Sequence, residues 1–212
     1  METPTHLSLR PFKSIVKNKI NEKIMANICT TEYVFEGDGK NINTLRQVLE
    51  KQASSKEECQ DYQDWHCQPN WLGYLAEKEL GINPNEISCR GEFCLGGISN
   101  CPYDEEEQIF RVSAYTAWSP CNSVFEKLAE KYDLKLYWIA EELGCELFQS
   151  NDSSERYFHD TYIVDIDDYG TEYFESEEDA VKYVVDKTGN LDITWSELED
   201  IDGIFTYEVE YV

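Results

Sequence analysis

Six residues in the first half of the chain have the chemistry of metal ligands: Cys59, His66 and Cys67, then Cys89, Cys94 and Cys101. Zinc takes four Cys or His ligands in a tetrahedron, commonly from knuckles with two to four residues between the paired ligands. Here seven residues separate Cys59 from Cys67, four separate Cys89 from Cys94, and six separate Cys94 from Cys101. Only the middle pair comes near the pattern, and it flanks a predicted strand that would hold its thiols apart. Buried free thiols are therefore the expectation, with a zinc- or calcium-binding accessory protein as the alternative. Calcium is the other metal to weigh. Asp186, Thr188, Asn190, Asp192, Thr194 and Glu197 fall at positions 1, 3, 5, 7, 9 and 12 of an EF-hand-like loop, but Leu191 stands where position 6 requires glycine. The loop that contains Asp167-Asp168-Tyr169-Gly170, with Gly170 at position 6, fails too, because Ser176 takes the place of the bidentate carboxylate.

Covalent and acid–base chemistry find less support. The histidines are His6, His66 and His159, the last in a predicted strand. No G-x-S-x-G, phosphate-binding loop or H-E-x-x-H stands in the chain. The expectation is a non-enzyme with no catalytic residues, no resident metal and no cofactor. Trp65 and Trp195 lie in polar surroundings; each reads first as a core residue at the edge of a loop, with a protein-binding face as the alternative.

Charge is the feature that composition does not make ordinary. Acidic residues outnumber basic ones 43 to 18, for a net charge of −25. A field of that sign repels nucleic acid and anionic membrane, and it attracts basic proteins. It is unevenly spread. Residues 1–24 hold five basic side chains against two acidic ones and read as a leader outside the fold. Residues 165–212 hold sixteen acidic side chains against Lys182 and Lys187. The candidate partner-binding residues are accordingly Asp165, Asp167, Asp168, Glu172, Glu175, Glu177, Glu178, Asp179, Glu197, Glu199, Asp200 and Asp202. Their expected partner is a basic, nucleic-acid-binding protein of the host.

The elements that position these groups are read from periodicity. Residues 107–143 form the centre: a strand in which Phe110, Val112, Ala114 and Trp118 alternate, then a corner, a helix and a second strand. Ser119 is the predicted N-cap and Pro120 the first helical residue. Val124, Phe125, Leu128, Ala129 and Tyr132 make one apolar stripe, and Leu134, Leu136, Trp138 and Ala140 alternate after it. Before this centre, a strand at 29–35, a helix with Ile42, Leu45, Val48 and Leu49 inward, a polar loop at 53–68, a second helix stopped by Gly81 and a short strand at 87–93 are predicted. After it come a strand at 157–166, a hairpin, a helix capped by Ser176 with Ala180, Val181, Val184 and Val185 inward, and a final strand. In that last strand Phe205, Tyr207, Val209 and Tyr211 are read as one face. Interleaved helices and hairpins predict an α+β fold, with residues 25–212 as a single domain carrying a Cys-rich loop region at 53–106. No apolar run is long enough to cross a bilayer, and no secretory signal accompanies the eight cysteines, so reduced thiols and a cytoplasmic location are expected.

Four segments carry a family resemblance: Met25 to Asp38, the stretch from Trp71 to Phe93, the centre from Thr116 to Gly144, and Tyr173 to Gly189. Together they resemble the YubB-type ferredoxin-like domain family, proteins of plasmids, phages and integrated elements with no known biochemical role. The strongest piece is Trp118-Ser119-Pro120 before an amphipathic helix. The family pattern has a second proline where this chain has Cys121. The resemblance implies a ferredoxin-like sandwich, a mostly antiparallel sheet with helices packed on one face, and a mobile-element origin. With the charge, it leads to the expectation of an acidic nucleic-acid mimic that inhibits a restriction or CRISPR-type nuclease.

Overall fold

A computed structural model describes residues 27–55, 68–95, 103–104, 108–189 and 193–212. The leader, Cys59, Trp65, His66, Cys67 and Cys101 lie outside the described residues, as do Asn190, Leu191 and Asp192 of the calcium-like loop. The chain is mixed α+β. Residues 25–212 read as one domain in sequence; in space the described residues gather into two compact units. The larger comprises residues 27–158 and 210–212, the smaller residues 159–209.

The larger unit is built on strand β1 (Ile28–Glu36), whose residues alternate between two faces. Cys29, Thr31, Tyr33 and Phe35 point to a face with helices and are fully buried. Two helices cover them. Helix α1 (Gly39–Ala53) starts at Asp38, whose carboxylate accepts from Lys40 N, and buries Ile42, Leu45 and Leu49. Helix α3 (Asn122–Lys131) buries Val124, Phe125, Leu128 and Ala129, so the stripe read from sequence is the stripe that packs. The ring of Phe125 stacks on Tyr33 at 3.9 Å between centroids. Between these helices comes α2 (Leu72–Leu75), continued as a π-helical turn at Ala76–Leu80 and ended by Gly81 at φ 69°.

The sheet follows from the apolar pattern of the strands. β4 (Ile109–Ala117) and β5 (Lys135–Glu142) flank β1, and β2 (Gly91–Leu95) lies outside β4, giving the order β5-β1-β4-β2 with every neighbour antiparallel. β1 and β2 are thus parallel with β4 between them, and β4 and β5 are parallel with β1 between them: two split β-α-β units interleaved. A two-residue strand β3 (Tyr103–Asp104) pairs with β4, and β6 (Leu147–Ser150) extends the sheet beyond β5. The opposite face is covered at one end by residues 152–158. Asp152 is buried, and its carboxylate accepts from Tyr157 N, Phe158 N and the Ser154 hydroxyl. This turn lays Tyr157 on Val34 and Ile109, with its hydroxyl donating to Glu36 at 2.7 Å.

The smaller unit has its own sheet, β8-β7-β9, from β7 (Tyr162–Ile166), β8 (Gly170–Phe174) and β9 (Ile204–Glu208). Helix α4 (Glu177–Thr188) closes it through Ala180 and Val184, and the short α5 (Trp195–Leu198) adds Leu198 to a core with Val164, Ile166 and Ile204. Ser176 caps α4 as its position predicts, accepting from Asp179 N at 3.2 Å, with three acidic residues in the first turn facing the positive helix end. Ser176→Ala is expected to cost about 1 kcal/mol in urea denaturation.

Several local expectations are corrected. Trp118 is outside β4 rather than in it, at φ 72° and 49% exposed. Cys121, not Ser119, is the N-cap of α3, and it makes no side-chain capping bond. The strand predicted from 87 begins at Gly91, after the 3-10 turn Pro84–Glu86 and four residues that belong to no strand. The strand predicted from 157 begins at Tyr162, because Tyr157 is held by the Asp152 turn. The predicted final strand divides into β9 and β10 (Glu210–Tyr211), the latter running parallel to β6 in the larger unit. Within β9 the inward residue is Ile204, and Phe205 is 47% exposed. Sequence alternation gives two faces but not which of them meets a helix.

Candidate functional site

All twelve candidate partner-binding carboxylates belong to the smaller unit. Ten are exposed; Asp165 and Glu172, on strands β7 and β8, are half-buried. The reason is the alternation itself: apolar positions of β7, α4 and β9 are spent on the core, and the acidic ones are left to water. Residues 159–209 carry sixteen acidic side chains against two lysines, a net charge of −14. Residues 27–158 and 210–212 carry the same net charge over 135 residues, so along the sequence charge is more than twice as dense in 159–209.

The carboxylates divide between two ends of this unit. Asp167 and Asp168 sit in the β7–β8 turn, and Asp200 and Asp202 in the connection that leads into β9. Asp167 N donates to Gly203 O at 3.1 Å, which brings the two turns together. Glu175, Glu177, Glu178 and Asp179 gather where α4 begins, at the other end of the strands. Nearby Asp160 is raised above the usual carboxylate range, first by burial and then by the charge of Glu175. Four of the twelve are used internally. Glu197 accepts from Thr194 N and its hydroxyl, completing a capping box, and it lies below its ordinary range for that reason. Asp165 accepts from Thr171 at 3.0 Å, Asp179 from the Ser176 hydroxyl at 2.9 Å, and Glu199 from Thr206 at 3.4 Å. Lys187 lies over the rings of Tyr169 and Tyr183. Among the described residues, the ion pairs Arg46–Glu50, Lys131–Glu79, Lys135–Glu36 and Arg156–Glu36 all fall in the larger unit. Among the described residues of the smaller unit, no ion pair meets these carboxylates.

The other sequence candidates separate. Cys89 is buried and donates to Pro84 O, while Cys94 is half-buried on β2. Among the described residues no group of three His, Cys, Asp or Glu is placed to hold a metal ion. In the calcium-like loop, Glu197 is committed to the capping box just described. His159 is exposed and in no strand. Trp195 is half-buried rather than presented: it packs edge-on to Tyr162, and its indole N–H donates to Glu208 at 2.7 Å.

Two features escaped sequence reading. The first is Glu32, on the face of β1 opposite the helices, cross-paired with Ser113 of β4. Burial pushes its carboxyl up to about 7, more than Ser113 and Arg111 draw it back, and Glu141 adds to the rise. Its Oε1 has no hydrogen-bond partner. Nothing local marks it; only the pairing of β1 with β4 makes the environment. The second is the backbone of Trp118 at the corner after β4. Trp118 holds a left-handed backbone conformation that costs a bulky residue roughly 1–3 kcal/mol. Its N–H donates to Asn27 O, Ser119 N donates to Ala117 O, and the Thr116 hydroxyl donates to Ser119 O.

No protein-family model, no curated protein and no solved structure matches this chain. Among the described residues, no helix is long and apolar enough to cross a membrane.

Proposed function

We propose that this chain is a non-enzymatic binding protein whose smaller unit offers a polyanion-like surface to a basic, nucleic-acid-binding partner. The observation that carries the reading is charge density: sixteen carboxylates against two lysines in 51 residues, with no ion pair among the described residues of that unit. A groove that evolved to bind phosphates is lined with arginine and lysine and meets such a surface on the same terms. Within this reading the larger unit is a ferredoxin-like sandwich of the YubB type. The strand order β5-β1-β4-β2 and the two split β-α-β units support that assignment. The mobile-element origin that the resemblance implies makes a host restriction or CRISPR-type nuclease the natural target.

The test is capture from a bacterial lysate by the full chain and by a variant with Asp167→Asn, Asp168→Asn, Asp200→Asn and Asp202→Asn. Wild type is expected to retain nucleic-acid-binding proteins at about 50 mM salt, to release them when duplex DNA is added, and to lose them by about 200 mM salt. The variant is expected to retain at least roughly tenfold less, since each lost charge removes one screened pair. Capture that DNA does not compete, and that the variant preserves, would sink the reading.

A further inference from the structure

The larger unit exposes apolar side chains at one end of its sheet, on three neighbouring strands. Ile28 opens β1 and is 62% exposed; Trp118 follows β4 at 49%; Leu143 follows β5 at 44%. Register brings them together. Ile28 pairs with Ala117, the residue before Trp118, and Trp118 N donates to Asn27 O at 2.9 Å. On the other side, a Cβ added at Gly144 would stand 2.7 Å from Asn27 Nδ2, and that amide donates to the Cys145 thiol at 3.6 Å. Asn27 is thus the hinge between the two corners, and the exposed residues lie in the order Leu143, Ile28, Trp118 across the sheet end.

Folding does not account for this arrangement. An indole that stays half in water gains little from burial, yet Trp118 keeps an unfavourable backbone conformation to stand there. Aromatic anchors rimmed by polar groups are what interfaces use. The nature of the partner follows from charge. A second copy would bring another −25 to the contact and is repelled. Glu141, Glu142 and Glu146 flank Leu143 in the chain, and the one basic residue bonded to this corner through its backbone is Arg90, whose carbonyl accepts from Ala117 N among the described residues. An arginine fits an exposed indole in a negative field, because its guanidinium stacks flat on the ring and is less strongly hydrated than an ammonium.

We infer that the Leu143–Ile28–Trp118 end of the larger unit is a second recognition surface, which seats an arginine-bearing segment of the basic partner with the guanidinium on the Trp118 indole. It rests on the proposed function for the partner's sign, and it adds the choice of arginine over lysine.

The experiment compares a short peptide of alternating arginine and glycine with its lysine counterpart, titrated against the full chain. Wild type is expected to favour the arginine peptide by roughly fivefold. Trp118→Gly should abolish that preference while leaving the thermal midpoint unchanged or raised, since glycine tolerates the φ that tryptophan strains. Leu143→Ser, which leaves the strained corner intact, is expected to weaken both peptides and serves as the second variant. Equal binding of the arginine peptide by wild type and Trp118→Gly overturns the inference. So does self-association of wild type in sedimentation that Trp118→Gly abolishes, because the surface would then join two copies. The four Asp→Asn changes in the smaller unit separate the two proposals. If lysate capture survives them and duplex DNA does not compete it, while Trp118→Gly still removes the arginine preference, the polyanion reading falls and this surface stands.

Discussion

Glu32→Gln is expected to stabilise the protein at about pH 8 by on the order of 2 to 3 kcal/mol, and to change nothing at about pH 4. The carboxyl titrates near 7 in the folded chain against 4.5 for an ordinary glutamate. The folded state therefore holds a proton that the unfolded state has already released. Below about 4.5 both states are protonated and Glu32 costs nothing. As pH rises from there through about 7, the unfolded chain ionises freely while the folded one must ionise a half-buried group, so stability falls. Glutamine keeps the shape of the protonated acid and cannot ionise, which removes that loss. Urea denaturation of both proteins at the two pH values measures it. A difference that is the same at both pH values would mean that Glu32 is not the titrating group. The consequence reaches function, because a binding assay run above neutral pH uses a less stable form of the larger unit.

Phe125→Ala should cost about 3–5 kcal/mol, the largest effect of any single truncation described here. Phe125 is fully buried, stacks on Tyr33 at an interplanar angle of 18°, and lies 6.5 Å from the Phe35 ring. Tyr33 in turn donates to Asn122 Oδ1 at 2.9 Å, which ties the first turn of α3 to the central strand. Removing the phenyl ring leaves a cavity between a helix and a sheet, both built on regular backbone that cannot collapse into it. Chemical denaturation gives the number directly. A loss below about 1 kcal/mol would show that α3 contributes little to the core, contrary to the packing.

Phe125 also shows how far reading along the chain reaches. Its stripe, with Val124, Leu128 and Ala129, is legible because 3.6-residue spacing is a local property. The cap at Ser176, the stop at Gly189 and the turn at Asp168-Tyr169-Gly170 are legible for the same reason, since each rests on contacts within a few residues. The acidic residues of 159–209 could be named in advance, because charge is a property of composition. Their gathering at two ends of one small sheet could not be.

What tertiary structure alone decided is wherever the partner is distant in the chain. Glu32 looks like any solvated glutamate until β4 brings Ser113 and Arg111 beside it. Trp118 reads as the end of an alternating strand, yet its backbone turns left-handed where its N–H reaches Asn27 O. The alternation from Phe205 to Tyr211 is real, but a strand can pair on either edge and face either way, and burial of Ile204 chose the face. Periodicity and capping are settled within one or two turns of chain. Strand order, burial and shifted acidity depend on which distant segments meet, and the net free energy of those meetings is not written in any single stretch.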